Sequence, residues 1–146
     1  MMKAFEDRLN ELLRFYNVAI IKPVSETIIR AVLDSIGPVP DELYRFYKHT
    51  NGLVFEWLTI FPIEDRTNIK RTWNSIQKAN DINKSVYLGK NGDLFNRFVI
   101  IAEISAGNCA VVDRNDFSIW FEEDGLHQTN LSLIEFIDLS LKEVKM

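Results

Sequence analysis

The residues best suited to chemistry crowd into FYKHTNGLVFEW (46–57), where His49, Thr50 and Asn51-Gly52 stand beside an aromatic run. A histidine next to a hydroxyl is the raw material of a base and nucleophile, so a small hydrolase or nucleotide-binding enzyme is one hypothesis. The sequence gives it little support. His49 and His127 are the two histidines of the chain, and neither lies in a motif such as H-E-x-x-H. LGKNGDLF has a Gly-Lys pair without the glycine spacing or the following Ser/Thr of a phosphate loop, and SAGNC lacks the strand-to-helix setting of a nucleophile elbow. Both read as turns, so no metal, cofactor or catalytic residue is expected.

The carboxylates Asp113, Asp116, Glu122, Glu123 and Asp124 are close enough in sequence for a paired-acid or cation site. Their context favours solvated turns instead, because DRND and EEDG are composed of residues that hydrogen-bond their own backbone. Cys109, the lone cysteine, excludes an internal disulfide and reads as a small buried strand residue in NCAVVD. In FSIWFEED, alternation puts Phe117, Ile119 and Phe121 on one face and Ser118, Trp120 and Glu122 on the other. Trp120 is then either a binding anchor rimmed by carboxylates or a core residue under a second covering layer, and the two readings stay open.

These residues need a scaffold, and the composition supplies one. In 146 residues, 47% are hydrophobic, with ten Phe, four Tyr and three Trp, enough to expect one globular domain over residues 1–146. No apolar run reaches membrane-spanning length and MMKAFEDRLNELL lacks a signal-peptide core, so a cytoplasmic protein without membrane contact is expected. A formal charge of −4 disfavours direct nucleic-acid binding. The charge is uneven: residues 66–97 carry seven bases against Asp81 and Asp93, whereas residues 103–124 carry six acids against Arg114. The acidic segment suits a basic protein partner.

Periodicity predicts an amphipathic helix over Met2–Tyr16 built on Phe5, Leu9, Leu12, Leu13 and Tyr16. Ser25 caps a second helix with Ile28, Ile29, Val32, Leu33 and Ile36, stopped by Gly37-Pro38. Pro40-Asp41-Glu42 starts a third, with Leu43, Phe46 and Tyr47 inward and Lys48 and His49 in its last turn, where cations are favoured. Asn51 or Gly52 ends it. Val54–Ile60 reads as one strand, with Phe55, Trp57, Thr59 and Phe61 on one face. Thr67–Ala79 reads as a helix with Ile69, Trp73 and Ile76 on one side. SVYL, RFVIIAEI, CAVVD and FSIWFEE then read as strands joined by short turns, and Ser132 with Glu135 forms a capping box before Leu133, Phe136, Ile137 and Leu141. This order predicts an α+β fold: an antiparallel meander packed with N-terminal helices and a closing C-terminal helix. Either sheet edge could pair with another copy, which leaves the oligomeric state open.

The same order of features resembles the SUKH superfamily, which includes bacterial immunity proteins and fungal cell-wall regulators. The resemblance rests on Val39-Pro40-Asp41-Glu42-Leu43-Tyr44, Asn51-Gly52, Ile60-Phe61-Pro62-Ile63, Trp73, the hairpin through Trp120, and Ser132-Leu133-Ile134-Glu135-Phe136-Ile137. Val39 and Leu133 depart from the usual Leu and Phe, and GKNGDLFNRFVII is only loosely similar to the family's middle strands. Pro40, Asn51, Gly52, Pro62, Ser132 and Phe136 are the positions that carry the pattern. The resemblance implies a non-enzymatic immunity protein that binds and neutralises a cognate toxin, often a nuclease. On that reading the partner-binding residues are Trp120, Glu122, Glu123, Asp124, Asp113, Asp116 and Ser118, whose acidic and aromatic character suits a basic nuclease domain. The alternative is an intracellular interaction or regulatory scaffold with no toxin partner.

Overall fold

A computed structural model of the chain describes residues 4–105 and 107–143. The first helix, α1 (Phe5–Phe15), buries Phe5, Leu9, Leu12 and Leu13 as their spacing requires; the expected start at Met2 lies outside the described residues. Ser25 caps α2 (Glu26–Ile36) by accepting the Ile28 N–H at 3.3 Å, and the helix ends at Gly37. Pro40 precedes α3 (Asp41–His49), whose first turn carries Asp41 and Glu42, whose last turn carries Lys48 and His49, and whose buried stripe is Leu43, Phe46 and Tyr47. Ile28 is the exception to the expected stripe of α2, being substantially exposed.

The expected single strand over Val54–Ile60 is instead a hairpin of β1 (Leu53–Phe55) and β2 (Leu58–Ile60). Phe55 pairs directly with Leu58, and Glu56 takes a left-handed φ of 48°, so the chain reverses in two residues. The proposed alternation of faces therefore fails at the turn, and Trp57 stands at its tip, 62% exposed. The expected helix over Thr67–Ala79 is broken too. A 3-10 turn at Arg66–Asn68 leads into α4 (Ile69–Thr72), and Ser75 caps a separate α5 (Ile76–Ala79). Ile76 is buried, but Ile69 and Trp73 face outward, because the break rotates them away from the sheet.

SVYL is not a strand. Its Tyr87 is buried ahead of a 3-10 turn at Leu88–Lys90 that is entered through left-handed Leu88 and Gly89. Asn91 then caps α6 (Gly92–Arg97), accepting the N–H groups of Asp93 and Leu94; this short helix takes residues expected to be turn and strand. The meander itself is as expected. β3 (Phe98–Ser105), β4 (Asn108–Asp113) and β5 (Ile119–Glu122) follow, with an unforeseen β6 (Leu126–Gln128), and all six strands pair antiparallel in sequence order. The final helix α7 (Leu133–Glu143) opens with the expected capping box: Ser132 N–H donates to Glu135 Oε1 at 2.9 Å and Glu135 N–H to Ser132 Oγ at 3.3 Å.

Register fixes the two faces of the sheet. Phe55, Leu58 and Phe121 point toward α1 and α7, as the edge-on contact of Tyr16 with Phe55 at 5.7 Å shows. The other face carries Ile100, Glu103, Val111 and Trp120 and is roofed by the α5–α6 segment, which Asn80 and Tyr87 pin to β3. One continuous hydrophobic cluster joins both layers.

Candidate functional site

The junction that looked most chemical is a structural buckle. Asn51 aims its amide at the backbone of Ile63, donating from Nδ2 to the carbonyl at 2.8 Å and accepting the N–H on Oδ1 at 2.7 Å. Thr50 Oγ1 accepts the Ile21 N–H at 3.0 Å and donates to the Gly52 carbonyl, while the Tyr47 hydroxyl donates to the Phe61 carbonyl. Gly52 has φ +94°, and a Cβ there would lie 2.9 Å from the Ile60 oxygen and 3.0 Å from Pro62 Cα. Asn51, Gly52 and Pro62 thus meet at one point, where the end of α3 is clamped to the strand leaving β2. Pro40 and Ser132 precede two helices whose starts are linked, since Glu42 Oε1 in the first turn of α3 accepts the Leu133 N–H at the start of α7 at 3.2 Å, and Phe136 is buried in that helix. His49 Nε2 is buried without a hydrogen-bond partner, and His127 stacks on Phe121 while donating to the Glu123 carbonyl.

The seven expected partner-binding residues divide into two groups. Asp113, Asp116, Ser118 and Trp120 form a closed network around Arg97, a residue that sequence reasoning counted only as a charge. Asp113 is buried and accepts from Arg97 Nε at 3.1 Å and from the Asn115 N–H at 2.8 Å. Asp116 Oδ1 accepts both the N–H and the hydroxyl of Ser118, bonds that hold its carboxyl below the usual range. Ser118 Oγ in turn accepts from Trp120 Nε1 at 2.8 Å. The Trp120 ring packs edge-on against Phe98 at 5.4 Å, with the Arg97 guanidinium 4.9 Å from its centre. Trp120 is therefore half-buried and already bound to a cation of its own chain. Phe117 does not continue the Ile119–Phe121 face, because its φ of 62° turns it out to solvent before β5 begins.

Glu122, Glu123 and Asp124 belong to the β5–β6 hairpin. Glu122 is half-buried, with Oε1 3.9 Å from Cys109 Sγ; burial first, then this carboxylate, pushes the thiol up to about 12. Glu123 and Asp124 are exposed at the turn, made by left-handed Asp124 and Gly125, and neither is in an ion pair among the described residues. Beside Glu123 opens a cleft of ≈ 730 Å³ between the sheet and α7, lined by Trp57, Ile104, Phe121, Leu131 and Leu139. Sequence reasoning missed this cleft, since it arises where the β1–β2 tip and α7 fail to meet; an exposed Trp57 beside a hairpin is its one local sign. Among the described residues no group of three His, Cys, Asp or Glu is placed to hold a metal ion, and no helix is long and apolar enough to cross a membrane. The arrangement can recognise a surface: an acidic tip beside an apolar hollow.

The model of the SMI1 / KNR4 family (SUKH-1) matches residues 23–139. That stretch runs from just before the Ser25 cap to within α7 and takes in the buckle, the meander and the hairpin. No curated protein matches the chain.

Proposed function

Because the chain belongs to the SMI1 / KNR4 family (SUKH-1), we propose that it is a non-enzymatic, cytoplasmic immunity protein that binds and neutralises a cognate protein toxin. The observation that carries the reading is the tip of the β5–β6 hairpin, where Glu123 and Asp124 lack cationic partners among the described residues and Glu123 lines the ≈ 730 Å³ apolar cleft. A basic toxin surface supplies the missing cations, and an apolar side chain beside them fills the hollow over Phe121 and Leu139. Trp120 contributes less directly. Its network stiffens the β4–β5 turn and so holds the hairpin in place.

Tagged wild-type chain and a Glu123→Lys/Asp124→Lys variant, used side by side as bait, test this. A basic protein retained by the wild type and released by the variant is the expected result. A partner held equally by both baits, or an acidic one, overturns the assignment of the site. A bound protein that has no toxic activity when expressed alone favours the scaffold reading instead.

A further inference from the structure

A second concavity, of ≈ 370 Å³, lies by the β1 edge of the sheet, the edge opposite the acidic hairpin. Val54 and Thr59, a cross-strand pair of β1 and β2, form its floor with Ile21 and Pro62. Its wall is Lys70, Arg71 and Trp73, from α4 and the break that follows it. Trp73 and Val54 are each 59% exposed, and Lys78 Nζ sits 4.7 Å from the centre of the Trp73 ring. An exposed indole at a concave site is a common anchor of a protein contact.

The charges around it are unspent. Arg8, Arg45, Lys48, Arg97 and Lys142 are each paired with a carboxylate. Arg66, Lys70 and Arg71 are exposed and have no such partner among the described residues. Asp65, the nearest acid to Arg66 in sequence, is occupied by the N–H and hydroxyl of Thr67. We propose that this groove docks an acidic protein segment bearing an apolar side chain, which seats on Val54 and Trp73 while neighbouring carboxylates meet Lys70 and Arg71. Charge complementarity selects this occupant. A second copy presenting the same groove would bring Lys70 and Arg71 against themselves. A nucleic-acid strand repeats its charge about every 3.4 Å and needs a longer basic track than three cations on a chain of net charge −4.

Selection of a phage-displayed random peptide library on the full chain, followed by anisotropy titration of the enriched peptides, tests the proposal. Enriched peptides are expected to combine Asp or Glu with Leu, Phe or Trp. Their affinity should fall about tenfold or more in Lys70→Glu/Arg71→Glu and in Trp73→Ala. The melting temperature should not change, because all three side chains are exposed. Enriched peptides without acids overturn the proposal, as does equal affinity for wild type and both variants. So does tighter binding of a single-stranded oligonucleotide than of any peptide, or a dimer in sedimentation that Lys70→Glu/Arg71→Glu dissolves.

Discussion

Asn51 satisfies an N–H and a C=O of Ile63 at once, which is what a neighbouring strand would otherwise do. Asn51→Ala leaves both buried backbone groups unpaired, so about 2–4 kcal/mol of stability should be lost in urea unfolding. An unchanged midpoint would show that the buckle is not a brace. Gly52→Ala faces both a left-handed φ and a backbone oxygen 2.9 Å away, and should cost more than about 1 kcal/mol by the same measurement. Cys109 gives a readout of a different kind. Its thiol is buried and held protonated to about 12, so iodoacetamide should leave it unmodified in the native chain at neutral pH and label it once urea unfolds the protein. At this scale the sequence spoke in part. Gly52 was readable as a left-handed position after the third helix and has φ +94°, but α3 itself stops at His49 on an extended Thr50, and the bond of Asn51 to Ile63 depends on a partner twelve positions later, brought near by the β1–β2 hairpin. Arg97 was silent for the same reason: its roles over Trp120 and against Asp113 exist only when α6, β4 and β5 are assembled.

Elements with a complete local signal were legible, and those decided by neighbours were not. Helices α1, α2, α3 and α7 carry their apolar stripes within nine to eleven residues, and Ser25 and Ser132 mark the starts of α2 and α7, so periodicity found them. The segment from Arg66 to Arg97 forms pieces of three to six residues, too short for any period to show, and its shape is imposed by the sheet it covers. Between elements, one pair is open to pH. Arg45 grips Glu6 through Nε at 2.8 Å and Nη2 at 2.6 Å, tying α3 to α1, and this hydrogen bonding lowers the Glu6 carboxyl to about 2. A depressed acid stabilises the fold above its unfolded value and loses that contribution as pH falls through its folded value. Both side chains are more than a third exposed, so solvent screening limits the pair to about 0.5–1 kcal/mol. Glu6→Gln should therefore be less stable than wild type by that amount at neutral pH. The gap should close as pH drops from about 4.5 toward 2, measured by urea titration at each pH.

For the molecule as a whole, strand order sets the spacing of the charged groups of its two proposed docking surfaces, although the apolar cleft beside the acidic turn reaches back to Trp57 and Leu58 of the β1–β2 hairpin. The β1 edge carries the basic groove and the β6 edge follows the acidic turn, with four strands between them. At about 4.8 Å per strand the two edges are about 24 Å apart, beyond the screening length of about 8 Å at physiological ionic strength. Two partners of opposite charge can then occupy one chain together, each weakened by salt and neither sensing the other's charge. Glu123→Lys/Asp124→Lys should abolish capture of a basic partner while leaving the affinity of an acidic peptide for the groove within about twofold in anisotropy titrations at physiological salt. At about 0.01 M salt the screening length grows to about 30 Å, so the change of charge at the acidic turn is then felt at the groove. An intact variant, with two acids replaced by cations, should hold it somewhat more tightly. Loss of peptide affinity at both salt concentrations would mean that the two edges are coupled through the sheet and that this is one binding surface, not two.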